Sequence, residues 1–192
     1  MLPDNQLSST PITGPLVLPD GLVLDDLLDF ETGGVALNDP SQGLQVQTWT
    51  CAYIDNSKVV IKALSTGYTA VLFERARITS VSLAFDQNMH PIVAYEIDGE
   101  VFLWWWDSLT SQRRDDSFGN VRCPRVTLDD KRAQQLANSD VIFAYIKGKN
   151  LCYRQQRDRF TVERVLRDGV SALSRLKNVA MSKGYRLQFE LV

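Results

Sequence analysis

From Leu44 onward the chain reads as short apolar runs rich in Val, Ile, Tyr, Phe and Trp, separated by turn residues. That is the texture of β-strands. The expected strands are Gln45–Ile54, Lys58–Ala63, Thr69–Glu74, Thr79–Asp86, Ile92–Ile97, Glu100–Trp106, Val141–Ile146, Leu151–Gln155, Phe160–Leu166 and Tyr185–Leu191. Two helices are predicted beside them. Thr127 and Asp130 make a capping-box-like start to a helix over Leu128–Ala137, with acidic residues in its first turn and basic ones later. Val170–Ala180 is the second candidate. Upstream, Pro3, Pro11, Pro15 and Pro19 forbid a regular helix. Leu22–Phe30 (LVLDDLLDF) suits a docking segment of low regularity, because Gly33-Gly34 and Asp39-Pro40 break the chain soon after it. The pattern divides the chain into an extended arm, residues 1–43, and a β-repeat domain, residues 44–192, with regular structure beginning near Leu44.

The β region repeats itself. Ala-Tyr recurs at Ala52-Tyr53, Ala94-Tyr95 and Ala144-Tyr145, each time near the end of an apolar run and before a turn: CAYIDNSKVVI, VAYEIDGEVFLW and FAYIKGKNLCYR. Asp55-Asn56, Asp98-Gly99 and Gly148 are residue types that supply the positive φ angles of tight hairpin turns. The spacing falls within the roughly 40 to 50 residues of a four-stranded propeller blade. The expected fold is mainly β, with propeller-like or sandwich-like antiparallel hairpin repeats, one or two short helices and an extended N-terminal arm. Three such repeats are fewer than the ~4 to 8 blades that close a usual propeller. Coverage would then come from other subunits, through open strand edges that invite pairing.

Composition narrows the class. The 192 residues suit one main domain with appendages, 44% hydrophobic and 23% charged residues fit a soluble globular chain, and no apolar run reaches the ~20 residues of a membrane-spanning helix. Cys51, Cys123 and Cys152 are too few and too widely spaced for a disulfide framework. Free thiols in a reducing cytosol are expected. The N-terminus lacks the basic and apolar regions of a secretory signal. The net charge of -2 conceals an asymmetry: eight acidic residues and no Lys or Arg precede Lys58, and all 21 basic residues lie from Lys58 onward. Acidic arms docking on basic faces, within a chain or between copies, would use it. Asp25, Asp26 and Asp29 are the candidate arm contacts.

Candidate chemistry is sparse. His90 is the single histidine, so a catalytic triad or metal site would have to be built on it, and metal sites need several such ligands. Asp115-Asp116 and Asp129-Asp130 suit loop and helix-start roles, since glycosidase carboxylates face each other from separated elements. No nucleotide-binding or nucleophile-elbow motif occurs. In a strand, Trp104 and Trp106 share one face and Trp105 takes the other. One face belongs to the core, and the other is a subunit-interface anchor, further internal packing or an aromatic platform for sugar. In Arg154-Gln155-Gln156-Arg157-Asp158-Arg159, a strand would align Gln155, Arg157 and Arg159 toward an acidic partner. The alternatives for these arginines, with Arg154 among them, are packaged DNA and an intramolecular Arg-Asp turn network. Against DNA stand the missing nucleic-acid motif and an isoelectric point near 5.4.

Val81–Trp106 (VSLAFDQNMHPIVAYEIDGEVFLWWW), Asp140–Val165 (DVIFAYIKGKNLCYRQQRDRFTVERV) and Met181–Leu191 together resemble virion proteins of the tail or neck of tailed bacteriophages. The resemblance spans the C-terminal two thirds of the chain. It implies a non-enzymatic structural component located in the virion, assembled in the host cytoplasm through contacts with other virion proteins and copies of itself. No cofactor, metal, membrane or nucleic-acid partner is expected. The alternative is a receptor- or carbohydrate-binding module on the virion surface, and a third is a hydrolase of the cell envelope.

Overall fold

The computed structural model describes residues 31–38, 45–54, 57–63, 67–86, 88, 90–128, 140–181 and 187–192. The architecture is mainly β, as the sequence predicts. Three antiparallel four-stranded meanders follow one another, each in simple chain order. The first contains β1 (Glu31–Asn38), β2 (Gln45–Ile54), β3 (Lys58–Ala63) and β4 (Thr69–Glu74). The second contains β5 (Ile78–Phe85), β6 (Pro91–Ile97), β7 (Glu100–Asp107) and β8 (Gln112–Ser117). The third contains β9 (Arg122–Leu128), β10 (Val141–Lys147), β11 (Asn150–Gln155) and β12 (Arg164–Arg167). A fourth sheet holds two strands, β13 (Leu176–Met181) and β14 (Leu187–Leu191).

The first strands of successive sheets pack on one another, β1 on β5, β5 on β9 and β9 on β13, so the sheets spread from a common inner edge like propeller blades. Three apolar layers fill the spaces between sheets. Cys51, Val59 and Ile61 meet Val93 and Tyr95 between the first and second. Ala94, Leu103 and Trp105 meet Phe143, Tyr145 and Phe160 between the second and third. Ala144, Ile146 and Leu151 meet Leu176 and Val179 between the third and fourth. Alternate residues of one strand therefore serve two different layers.

The Ala-Tyr repeat lies on the second strand of each sheet. In the second and third sheets, Ala94 and Ala144 face the following sheet while Tyr95 and Tyr145 face the preceding one. The turns match as well. Asp98 (φ 50°) and Gly99 (φ 80°) close β6–β7, and Gly148 (φ 58°) begins the two-residue turn of β10–β11. The first copy is slipped by one residue. Ile54 pairs with Lys58 where Ile97 pairs with Glu100 and Lys147 with Asn150, which makes Cys51 rather than Ala52 the counterpart of Ala94. Cys51 accordingly faces the second sheet. A one-residue shift exchanges the faces of a strand, and the burial follows the ladder rather than the dipeptide.

Other expectations change. Strand structure starts at Glu31, not near Leu44: the expected break at Gly33-Gly34 is a bulge inside β1, which pairs along its length with β2. Val170–Ala180 is not a helix. Val170, Leu176 and Val179 are buried at helix-like spacing, but Leu173 is 91% exposed, and a register shift between Leu176 and Asn178 puts Leu176 and Val179 into one layer of β13. Phe160–Leu166 is not one strand either. A 3-10 turn at Gln156–Asp158 and positive φ at Arg159 and Phe160 bend the chain, and only Arg164–Arg167 pairs. β8 and β9 were not predicted at all. Most of the helix predicted over Leu128–Ala137, with Asp129-Asp130, lies outside the described residues, as do residues 1–30 and the Asp55-Asn56 turn; Leu128 itself ends β9.

Ala94 and Ala144 are both fully buried between sheets. Leucine at either position should overfill its layer and cost about 1–3 kcal/mol in urea unfolding, whereas leucine at Thr79, exposed on β5, should cost less than about 0.5 kcal/mol.

Candidate functional site

Polar and aromatic groups concentrate around the second and third sheets. In β7, Val101, Leu103, Trp105 and Asp107 are buried and their neighbours are half-buried. Trp104 and Trp106 thus share one face and Trp105 the other, as the alternation predicts. Trp105 is interior to this chain: it meets Phe160 edge-on at 5.1 Å, and its indole N–H donates to Asp116 Oδ2 at 2.8 Å. Trp104 packs on Phe73 of the first sheet, ring centroids 5.1 Å apart. The Arg113 guanidinium lies 4.0 Å from the Trp104 ring centroid and 5.4 Å from that of Trp106, which also meets the His90 ring at 5.4 Å. His90, Trp106, Arg113 and Trp104 form a cation–aromatic ledge. Burial lowers the Arg113 pKa, while the charge of Asp86 opposes that shift.

The side chain of Asp86 is almost fully buried and organises the loop between β5 and β6. Its carboxylate accepts the backbone N–H groups of Asn88 (2.9 Å) and His90 (2.8 Å) and the Gln156 amide (3.3 Å). His90 Nδ1 lies 3.2 Å from it. Asp115 and Asp116, neighbours in β8, point to opposite sides. Asp115 accepts the Tyr95 hydroxyl at 2.7 Å and Arg75 at 3.0 Å, whereas Asp116 binds Trp105 and Arg114. They therefore do not form a facing carboxylate pair.

The arginine run is engaged within the chain. Arg154 donates to the Tyr145 hydroxyl (2.7 Å), to Glu163 (3.1 Å) and to the carbonyls of Phe160 and Thr161. Arg157 pairs with Asp140 at 2.8 Å, and Arg159 with the buried Asp107 in a close ion pair. The turn at Gln156–Asp158 prevents the expected alignment of Gln155, Arg157 and Arg159 on one face of a strand. Asp25, Asp26 and Asp29, the expected arm contacts, lie outside the described residues.

Tyr95 and Tyr145 are equivalent residues of successive sheets, and each hydrogen-bonds a carboxylate with an arginine beside it. Burial, then the carboxylate, raises both phenol pKa values well above 10. For Glu163 the hydrogen bond from Tyr145 leads in lowering the pKa, and Lys147 and Arg154 add to it against burial. Burial pushes Asp107 up, but hydrogen bonds from Arg159, Thr110 and the Leu109 N–H, with the Arg159 charge, bring its pKa below the usual value.

A residue the sequence pattern did not single out ties the sheets at their inner edge. Arg125 of β9, 5% exposed, donates to Ser80 Oγ on β5 (3.1 Å), to the Lys177 carbonyl on β13 (2.9 Å) and to the Pro124 carbonyl (2.8 Å). Ser82 Oγ accepts the Val126 N–H at 2.9 Å. An arginine as the one charged residue of the stretch Cys123–Leu128 was the available signal. Among the described residues, no group of three or more His, Cys, Asp or Glu side chains is placed to hold a metal ion. No protein-family model matches the chain, and no curated protein matches it.

Two predictions follow from the ion pairs and the phenols. Arg159→Ala should destabilise the fold by about 1–3 kcal/mol in urea unfolding, less than an isolated buried ion would cost because Arg159 is part exposed and Arg114 stands 3.8 Å from Asp107. Arg157→Ala, at a more exposed pair, should cost under about 1 kcal/mol. Stability against pH should fall on both sides. Asp107 and Glu163 titrate below their ordinary 3.8 and 4.5, so their contribution is complete above those values and is lost as pH drops through the lowered ones. Tyr95 and Tyr145 titrate above 10, so the unfolded phenols ionise first and stability declines as pH rises past 10. In a pH series of urea unfolding, Tyr95→Phe with Tyr145→Phe should flatten the alkaline decline and also shrink the acid one, because the Tyr145 hydrogen bond leads in lowering the Glu163 pKa, while the Asp107 part of the acid decline remains.

Proposed function

We propose that the chain is a non-enzymatic structural subunit of a phage tail or neck, built to assemble with copies of itself and with other virion proteins. The observation that carries this reading is the open row of sheets: three complete blades and a two-stranded fourth make a propeller-like arrangement without closure among the described residues. An open row ends in sheets that have a neighbour on one side only. At the first sheet, Val71 of β4 and Tyr68 just before that strand are 54% and 59% exposed. Such surface is what a building block buries against its neighbours. The virion setting comes from the resemblance of Val81–Trp106 and Asp140–Val165 to tail and neck proteins.

A second reading, a carbohydrate- or receptor-binding module, draws on the ledge of Trp104, Arg113 and Trp106, whose rings are half-buried. Particle composition separates the two. A structural subunit stays with purified particles through salt and detergent washing and retains no glycan or host cells when isolated; a surface binder retains them and loses that ability with Trp106→Ala. His90→Ala should leave particle assembly and infection intact, since the expected role of His90 is a loop role. Loss of an activity on cell-wall or polysaccharide substrates in that variant would overturn the non-enzymatic reading.

A further inference from the structure

We propose that the free edge of β14 pairs antiparallel with β14 of a second copy, joining two half-sheets into one four-stranded sheet across a two-fold axis. This deepens the self-assembly reading and rests on it. Each complete sheet has four strands, whereas β13–β14 has two, and β14 has no strand partner besides β13 among the described residues. Its alternation is regular: Leu187, Phe189 and Leu191 are half-buried on the layer shared with the third sheet, while Gln188 and Glu190 are exposed.

The strand is also self-complementary. Leu187-Gln188-Phe189-Glu190-Leu191 has the same apolar and polar order in both directions. Antiparallel pairing centred on Phe189 sets Leu187 opposite Leu191 of the second copy, Gln188 opposite its Glu190, and the two Phe189 rings together. Residues directly opposite in such a ladder share a face, so the apolar side continues from one copy into the next and no like charges meet. The contact is isologous and closes as a dimer.

The other outer edges fit a second copy less well. Self-pairing of β12 sets Arg164 against Arg167, β8 has no apolar residue to carry a layer into a second copy and its charged Asp115 and Asp116 are already bound by Tyr95 and Trp105, and β4 pairs through a register shift opposite Val59 and Val60. Charges and irregularities of this kind are what keep edges apart. β14 has neither a repulsive pair in its self-paired register nor a bulge between Asn178 and Met181 of its partner ladder.

Sedimentation of the full chain and of two surface variants tests this. The wild type should sediment as a dimer of the 21.7 kDa chain. Gln188→Glu sets like charges against Glu190 twice by symmetry and should weaken the dimer about 2- to 30-fold, while Gln188→Lys should tighten it by a similar factor. Circular dichroism of both variants should match the wild type, because Gln188 is exposed. A dimer or larger assembly that ignores both substitutions, or shifts the same way with both, overturns β14 pairing and leaves self-assembly standing. A wild-type chain that remains monomeric at its highest soluble concentration overturns both.

Discussion

The middle strands of the second and third sheets, β6, β7 and β10, have no solvent side to spare, and that constraint governs the rest of the structure. A strand with both faces covered must satisfy two neighbours with alternate residues, so a change at one position loads one layer and leaves the other untouched. Ala94 leaves room for the third sheet while Tyr95, next to it, reaches the first; Ala144 and Tyr145 do the same one sheet further on. Close approach at the inner edge follows from the same packing. Buried backbone and side-chain polar groups there need partners, and Arg125 and Ser82 supply them across three sheets. The inner edge is thus a hydrogen-bonded seam between apolar layers.

Charge is handled by the same economy of space. The basic C-terminal half does not present its arginines as a uniform outward face. Turning at Gln156–Asp158 directs Arg154, Arg157 and Arg159 to three separate carboxylates, Glu163, Asp140 and Asp107, and sets Phe160 as a wedge against Trp105 and Phe143. An acidic arm would therefore compete with carboxylates already in place at these positions. The proposed function and the proposed β14 contact both concern the ends of the row of sheets instead.

Legibility in the sequence followed apolar patterning and turn signals rather than burial: β9 is buried from Cys123 to Leu128 and was missed, because Pro124, Arg125 and Thr127 interrupt its apolar pattern. Hairpins β6–β7 and β10–β11 were evident because both strands are apolar and their turns carry Asp-Gly or Gly. β8 was invisible because QRRDDS has no apolar residue to alternate: it is an outer strand held by pairing to β7 and by its own charges. β1 was hidden by a glycine pair that signals a break in isolation and forms a bulge in a ladder. β13 imitated a helix because a bulge changes its spacing from two residues to three. The Trp104–Trp106 alternation could be read directly, but the layer behind each ring depends on long-range order. The roles of Asp86, Asp107 and Glu163 were not legible, since each depends on a partner brought from a distant strand or turn.

Residue-resolved amide hydrogen exchange on the native chain tests the two-faced packing most directly. If the middle sheets are covered on both sides, the amides of Ile92–Tyr95, Val101–Trp105 and Val141–Ile146 open only with global unfolding and exchange slowest of all. Exchange in Val101–Trp105 as fast as in the outer strand Gln112–Ser117 would contradict the account, because it would leave the second sheet with an uncovered face.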